Sequence, residues 1–184
     1  STIAAEKPDL VFAPHVETAS GIILPDDYMR AVSNAVHDVG GLFILDCVAS
    51  GAVWVDMKDM GVDVLISAPQ KGWSASPCGA LVMLSELGRQ KIEETDSSSF
   101  SADLKKWLQI METYEAGGHA YHATLPTDAI IKFHAAMKET ETYGFDKMME
   151  QQKLLGQRVR ELLSGKGFNS LAADGYGAPG VVVS

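Results

Sequence analysis

Apolar residues cluster in short runs along the first half of the chain, and each run is bounded by polar or turn-forming residues. The runs predict β-strands, and they lie at residues 9–13, 42–46, 62–67 and 79–84. The second of them is apolar on both faces, which is typical of strands in parallel sheets that helices cover on both sides.

Helical periodicity separates these runs. Between the first two, apolar residues recur every three or four positions and predict a helix with one apolar face; they are Met29, Val32, Val36 and Val39. We expect this helix to begin near Pro25 and to end at Gly40, because proline suits a first turn and glycine a helix end. Alternating strands and helices predict an α/β fold.

The second half of the chain is predominantly helical in pattern. Residues 86–118 are harder to interpret, although 104–111 within them have helical spacing. A long helical region is predicted over 127–164 with a break near Tyr143–Gly144. Two short apolar pieces follow at 168–172 and 181–183, of which we expect the second to form a strand.

Composition excludes several classes of protein. The 184 residues carry a net charge of −9, with 24 acidic against 15 basic residues, which disfavours a nucleic-acid partner. No apolar run approaches the ~20 residues of a membrane-spanning helix. Cys47 and Cys78 are the only cysteines. Two free thiols suit a reducing compartment, so we expect a cytoplasmic protein, and no Cys/His spacing indicates a metal site.

Candidate chemistry gathers where the predicted strands end, because ligands of open α/β sheets bind beyond the carboxyl ends of strands. Asp46 ends one strand, and Lys71 follows the next after a short loop. A partly desolvated carboxylate together with a shielded amine is what pyridoxal phosphate requires, since the acid holds the ring nitrogen and the amine binds the aldehyde. From spacing alone, a structural ion pair or an ordinary surface lysine remains open as an alternative.

The wider pattern resembles the class V aminotransferases, and is most similar to the alanine–glyoxylate and serine–pyruvate aminotransferases. Five ordered segments carry the resemblance, and the lysine follows the acid at a separation of 25 residues. The segments are His15–Gly21, Phe43–Ser50, Ser67–Gly72, Asp103–Leu108 and Tyr121–Pro126. The resemblance implies a three-layer α/β fold with a mostly parallel sheet. It assigns residues 1–143 to part of the large cofactor-binding domain, and 144–184 to a connecting helix and the start of a small α+β domain.

The resemblance also implies roles for individual residues. Lys71 would carry the cofactor as a Schiff base and move a proton, and Asp46 would pair with the pyridine nitrogen. Val48 would pack on one face of the ring, Thr18 would hydrogen-bond the ring hydroxyl, and Gln70 would contact the phosphate.

Two further positions imply a second subunit. Tyr121 and Thr124 match residues that reach the phosphate of the neighbouring subunit's cofactor, which implies a homodimer with its sites at the interface. His15 and Glu17 belong to the first motif, and for them we expect structural hydrogen bonds rather than chemistry. The family also places its phosphate loop before this segment and its carboxylate-binding arginine after it, so we expect a partial chain.

The activity implied is transfer of an amino group from alanine or serine to glyoxylate or pyruvate. Related lyases such as cysteine desulfurases usually place histidine before the lysine, whereas this chain has Gln70, which favours transamination. A desulfurase-like lyase and an inactive fragment of such an enzyme remain the alternatives.

Overall fold

The computed structural model describes residues 2–184, and these form a sheet flanked by helices. The strands are β1 (Leu10–Pro14), β2 (Val16–Glu17), β3 (Ile22–Ile23), β4 (Leu42–Asp46), β5 (Val64–Ser67) and β6 (Leu81–Leu84). The helices are α1 (Thr2–Glu6), α2 (Asp26–His37), α3 (Met57–Met60), α4 (Glu86–Glu93), α5 (Leu104–Glu115), α6 (Thr127–Tyr143) and α7 (Phe145–Ser164).

The main sheet has the order β1-β4-β5-β6, while β2 and β3 form a separate antiparallel hairpin. β1, β4 and β5 run parallel, and β6 runs antiparallel to β5. Pro14 pairs with Asp46, and Asp46 with Ile66, so the carboxyl ends of the three parallel strands share one edge. The predicted α/β class with a parallel-rich sheet is confirmed.

The core lies between the sheet and α2. Phe43 and Leu45 on β4 are fully buried, and they pack with Leu65 of β5 and with Met29 and Val36 of α2. Leu10 and Phe12 of β1 are exposed. The alternation of buried and exposed residues on β1 therefore differs from β4, which is buried throughout until its last residue.

The α2 helix follows the predicted pattern closely. Pro25 precedes its first residue, and Asp26 and Asp27 place negative charge in the first turn, where it interacts favourably with the helix dipole. Gly40 takes a φ of 81°, a left-handed conformation that glycine adopts without strain, and the chain then enters β4.

The break predicted near Tyr143–Gly144 in the long helical region is confirmed. The α6 helix ends at Tyr143 and α7 begins at Phe145, with Gly144 at a φ of 100° between them. The α4 helix lies in the region that was hard to interpret. Its amino end is capped by the Ser85 hydroxyl, which accepts a hydrogen bond from Gly88 N at 3.0 Å.

The strand predicted at 181–183 is wrong. The Val181 carbonyl accepts a hydrogen bond from the Arg160 guanidinium at 3.1 Å, and the Val183 carbonyl accepts one from Leu171 N at 3.0 Å. These groups replace a neighbouring strand as partners. The segment packs beside the β2–β3 hairpin, where Ala178 N donates to the Gly21 carbonyl at 2.8 Å.

The division at residue 143 into two domains stays a prediction. Within residues 2–184, no helix has both the length and the apolar character needed to cross a membrane.

Candidate active site at the carboxyl edge of the sheet

Backbone hydrogen bonds continue past the ends of the parallel strands and hold the following loops together. His15 N donates to the Asp46 carbonyl at 2.9 Å, and Cys47 N donates to the Ile66 carbonyl at 2.7 Å. The loops that leave β1, β4 and β5 therefore start from fixed positions. This is the edge at which the sequence predicted a ligand site.

The Asp46 side chain is exposed at this edge, so the partial desolvation expected from the sequence is wrong, and only one of its oxygens has a hydrogen-bond partner within residues 2–184. Its Oδ1 accepts a hydrogen bond from Val48 N at 2.9 Å, which closes a tight turn. Its Oδ2 has no hydrogen-bond or ion-pair partner in the part of the chain that the structure describes. Asp46 therefore presents a carboxylate oxygen that is free to accept a hydrogen bond from a ligand.

A buried hydrogen bond beneath Asp46 fixes the loop after β4. His15 Nδ1 lies 2.7 Å from the Ser50 hydroxyl, and both side chains are buried. Burial lowers the pKa of His15 to about 4, against the smaller opposing effect of the Asp26 charge. The imidazole is therefore neutral at physiological pH. The hydrogen bond expected of His15 is present, and Glu17 likewise accepts a local hydrogen bond from Ala19 N at 2.9 Å.

Cys47 belongs to the same buried layer, and its surroundings disfavour the thiolate form. Burial raises the pKa of its thiol to about 12, and a hydrogen bond with Ser50 opposes this only in part. A thiol with such a high pKa is protonated at physiological pH and unreactive. Cys47 and Cys78 are both free cysteines.

Lys71 lies in a tight turn that rests on the loop after β4. Ser74 N donates to the Lys71 carbonyl at 3.0 Å, and Ala75 N donates to the Pro69 carbonyl at 3.0 Å. Gly72 touches the backbone of Gly51 so closely that a Cβ placed on it would lie 2.2 Å from the Gly51 carbonyl oxygen. Only glycine fits there, and this contact brings the lysine loop against the loop that follows Asp46.

The Lys71 side chain is exposed, so the shielding expected from the sequence is wrong, and no ion pair or side-chain hydrogen bond engages its amine within residues 2–184. The structural ion pair with Asp46, one of the alternatives left open by the sequence, does not form in the described chain. The amine and the carboxylate therefore lie in adjoining loops without neutralising each other.

Three other predicted residues belong to the same loops. Gln70 is exposed directly before Lys71, and Val48 is half-buried and donates its backbone N–H to Asp46. Thr18 is exposed in the turn between β2 and β3, just beyond the end of β1. Tyr121 and Thr124 lie elsewhere, between α5 and α6. Their hydroxyls are 3.3 Å apart, and no hydrogen bond in residues 2–184 joins them to the sheet edge.

Two clefts flank this edge. One, of about 1120 Å³, is bordered by His15, Asp26, Lys153 and Arg160 among others. The other, of about 250 Å³, is mostly apolar, with Trp54 and Trp73 in its wall. Neither of the two is lined by Asp46 or Lys71.

Two residues that organise the site were given no role from the sequence. Ser50 is the partner of His15, and the Gln152 side chain on α7 accepts a hydrogen bond from Ala52 N at 2.5 Å. The separation of Gln152 from Ala52 is 100 residues, so only the folded chain reveals the contact.

Comparison with known proteins identifies relatives of the whole segment. The profile of the family described as "Aminotransferase class-V" matches residues 1–174. The alanine–glyoxylate aminotransferase of Oryctolagus cuniculus is 27% identical over 175 residues, which are 94% of this chain and 44% of that protein. The 2-aminoethylphosphonate–pyruvate transaminase of Vibrio parahaemolyticus is 28% identical over 171 residues, covering 90% of this chain and 44% of the relative.

A solved structure agrees at the level of the fold. The crystal structure of an alanine–glyoxylate aminotransferase from Nostoc sp. superposes with a TM-score of 0.84 at 21% identity, covering 97% of this chain and 46% of that one. The chain thus spans less than half the length of each of these three proteins.

Proposed function

The chain belongs to the class V aminotransferase family, and we propose that it carries the central catalytic groups of an enzyme that moves an amino group from a small amino acid to a 2-oxo acid. The family membership indicates pyridoxal phosphate as the cofactor. The observation that carries the proposal is an open carboxylate and an unpaired lysine in adjoining loops at the carboxyl edge of a parallel sheet. These residues have the donor and acceptor chemistry that the cofactor requires.

When bound, pyridoxal phosphate supplies an electron-accepting ring whose strength depends on a protonated ring nitrogen. Asp46 is suited to keep that nitrogen protonated, because its free Oδ2 accepts a hydrogen bond and its charge favours a cation. The Asp46–Val48 turn fixes the direction of the carboxylate before any ligand arrives, so little reorganisation is needed on binding.

Lys71 is proposed as the amine that links covalently to the cofactor and then moves the proton at the substrate α-carbon. An amine can do both only if no carboxylate holds it, and the exposed Lys71 meets that condition within residues 2–184. The close contact of Gly72 with Gly51 limits how far the lysine loop can shift relative to Asp46.

The remaining cofactor contacts follow the family pattern. Gln70 is proposed to bind the phosphate, Thr18 the ring hydroxyl oxygen, and Val48 one face of the ring. Tyr121 and Thr124 are proposed to reach the phosphate in a partner subunit, which makes the enzyme a homodimer. The Tyr121 side chain is 74% exposed, so it is accessible to a partner subunit.

The substrates proposed are alanine or serine as donor and glyoxylate or pyruvate as acceptor. The names of the relatives support this choice, since they pair alanine with glyoxylate or an aminophosphonate with pyruvate. A cytoplasmic location is also proposed, from the two free cysteines.

The test uses the full-length protein with Lys71→Ala and, as a matched control, Lys58→Ala on α3. Wild type and the control should be yellow after addition of pyridoxal phosphate, and borohydride should fix the cofactor to the peptide that contains Lys71. Lys71→Ala should show neither property. A wild-type protein that stays colourless, or an adduct on another lysine, would overturn the proposal.

The substrate part is tested by half-reactions. Alanine or serine alone should convert the cofactor to its amine form, and glyoxylate or pyruvate should restore the original spectrum. Release of sulfide from cysteine without accumulation of the amine form would instead indicate a lyase.

A further inference from the structure

The side-chain amide of Gln152 sits at a junction of three segments. Its Oε1 accepts the hydrogen bond from Ala52 N, in the loop after β4. A Cβ placed on Gly51 would lie 2.5 Å from Gln152 Nε2, and one placed on Gly180 would lie 2.6 Å from the same atom. The amide is thus held between two glycines, one in the loop after β4 and one near the end of the chain.

Gly51 connects this junction to the lysine loop. The backbone of Gly51 is also the surface on which Gly72 rests, and Gly72 directly follows Lys71. The contacts run without a gap from Gln152 through Gly51 and Gly72 to Lys71. Because the two glycines leave no space for a side chain between these backbones, a movement of Gly51 displaces Gly72.

The hydrogen bond at Ala52 is energetically important for the position of Gly51. Ala52 is 3% exposed, so its N–H is buried, and an apolar side chain of similar size at position 152 would cover it without offering an acceptor. A buried backbone donor without a partner is strongly unfavourable, and the loop would move to find another acceptor. Gly51 is the neighbouring residue, with a φ of 63°, and would move with it.

A second contact ties α7 to the same two loops. The rings of Trp54, from the loop after β4, and Trp73, from the lysine loop, lie 5.0 Å apart. Trp54 Nε1 donates to the carbonyl of Phe145, at the start of α7, at 3.0 Å. Phe145 and Gln152 are seven residues apart, which places them on one side of the helix two turns from each other. One side of α7 therefore contacts the loop after β4 at two points, and that loop contacts the lysine loop through Gly51 and Trp54.

We propose that Gln152 is a positioning residue for Lys71, which it acts on through Gly51 and Gly72. The proposal rests on the proposed function for its meaning in catalysis, but its structural part concerns contacts that exist without cofactor. If Gln152 had only a structural role, its replacement would alter the stability of the protein and the loop after β4. If it positions Lys71, its replacement also alters the conformation of the lysine loop.

The test compares three variants of the full-length protein. Gln152→Leu removes the acceptor at similar volume, Gln152→Glu keeps an oxygen that accepts from Ala52 N, and Gln151→Leu is the matched control on the exposed neighbouring position. Amide hydrogen exchange is measured in the protein without cofactor, on peptides that cover residues 69–76. Ser74 N and Ala75 N report there on the turn that contains Lys71.

We expect exchange over residues 69–76 to become about tenfold faster in Gln152→Leu, while Gln152→Glu and Gln151→Leu stay near wild type. In the cofactor-loaded protein, the pH midpoint of the visible absorbance should shift in Gln152→Leu and be restored in Gln152→Glu. Should Gln152→Leu fail to fold, Gln152→Asn, whose amide is one methylene shorter, is read in the same two ways.

Faster exchange confined to residues 47–53, with the lysine loop and the pH midpoint unchanged, would overturn the proposal. If the wild-type protein takes up no pyridoxal phosphate, the proposed function fails, and the exchange measurement still decides the role of Gln152.

Discussion

Two aspartates flank neighbouring strands of the same sheet and lie in opposite environments. Asp46 ends β4 at the carboxyl edge, is exposed, and accepts one hydrogen bond. Asp63 precedes β5 at the opposite edge, is 3% exposed, and accepts three hydrogen bonds. The donors to Asp63 are Phe43 N at 2.9 Å, the His37 imidazole at 2.7 Å and the Ser85 hydroxyl at 3.0 Å.

The difference separates a structural carboxylate from one available for chemistry. The oxygens of Asp63 are occupied by donors from β4, from α2 and from the residue that caps α4, so this acid joins three elements. The single hydrogen bond from Val48 N fixes the orientation of the Asp46 carboxylate and leaves its other oxygen free within residues 2–184. The free acceptor oxygen, rather than the residue type or its position next to a strand, is the reason for proposing that Asp46 and not Asp63 binds a ligand.

Replacement of Asp46 by Asn should have the largest effect of the predictions here, and it acts on function alone. The side-chain oxygen can still accept from Val48 N, while the negative charge that favours a protonated ring nitrogen is lost. We expect kcat/KM of the full-length enzyme to fall about 10³-fold, equivalent to about 4 kcal/mol. The free energy of unfolding should stay within about 0.5 kcal/mol of wild type.

Asp9→Asn is the matched control, because Asp9 is an exposed acid directly before β1, at the opposite edge of the sheet. Its kinetics should equal those of wild type. Equal losses in both variants would show that net charge, rather than the position of Asp46, governs activity.

Replacement of Asp63 by Ala should do the reverse. It leaves Phe43 N buried without an acceptor and removes the partners of His37 and Ser85. We expect a loss of about 3 kcal/mol in the free energy of unfolding, measured by urea denaturation. Protein that still folds should bind pyridoxal phosphate with a visible spectrum like that of wild type.

A spectrum lost in Asp63→Ala under conditions where the protein remains folded would break the distinction between the two aspartates. Asp38→Ala, an exposed acid at the end of α2, serves as the control for loss of one negative charge. It should be close to neutral in stability.

The contrast between the two aspartates also shows what the sequence reveals. The carboxyl edge was predictable because strand ends converge in a parallel sheet, and because Asp46 and Lys71 stand in motifs with family-like spacing. The α2 helix and the break at Gly144 were predictable from local periodicity and glycine. These features depend on residues close together in the chain.

Features that depend on distant partners were not predictable. In the sequence, nothing distinguishes Asp63 from other acidic residues beside a strand. Its hydrogen-bond partners on α2 and at the cap of α4 become apparent only in the folded chain. Gln152 contacts a loop 100 residues earlier. The pattern at 181–183 is typical of a strand, but the tertiary partners here are Arg160 and Leu171 rather than another strand. The sequence pattern predicts which segments are apolar, whereas tertiary contacts determine which groups those segments pair with.

The smallest predicted effect concerns the buried residues that stabilise the sheet edge at Asp46. His15 is buried there with a pKa of about 4, whereas its ordinary value is 6.5. Below pH 6.5 the unfolded chain takes up a proton that the folded site does not accept until about pH 4. The contribution of neutral His15 is therefore complete above pH 6.5 and is lost progressively as the pH falls toward 4.

Between pH 7 and pH 5 this linkage corresponds to about 2 kcal/mol of unfolding free energy. His15→Asn should remove that part of the pH dependence, because asparagine does not titrate and its amide can still pair with the Ser50 hydroxyl. Urea denaturation at fixed protein concentration, at both pH values, gives the comparison. His134→Asn, on an exposed face of α6, is the control and should keep the wild-type difference. If His15→Asn loses as much stability on acidification as wild type does, the acid sensitivity arises elsewhere. The buried layer under Asp46 then depends on packing rather than on an uncharged imidazole.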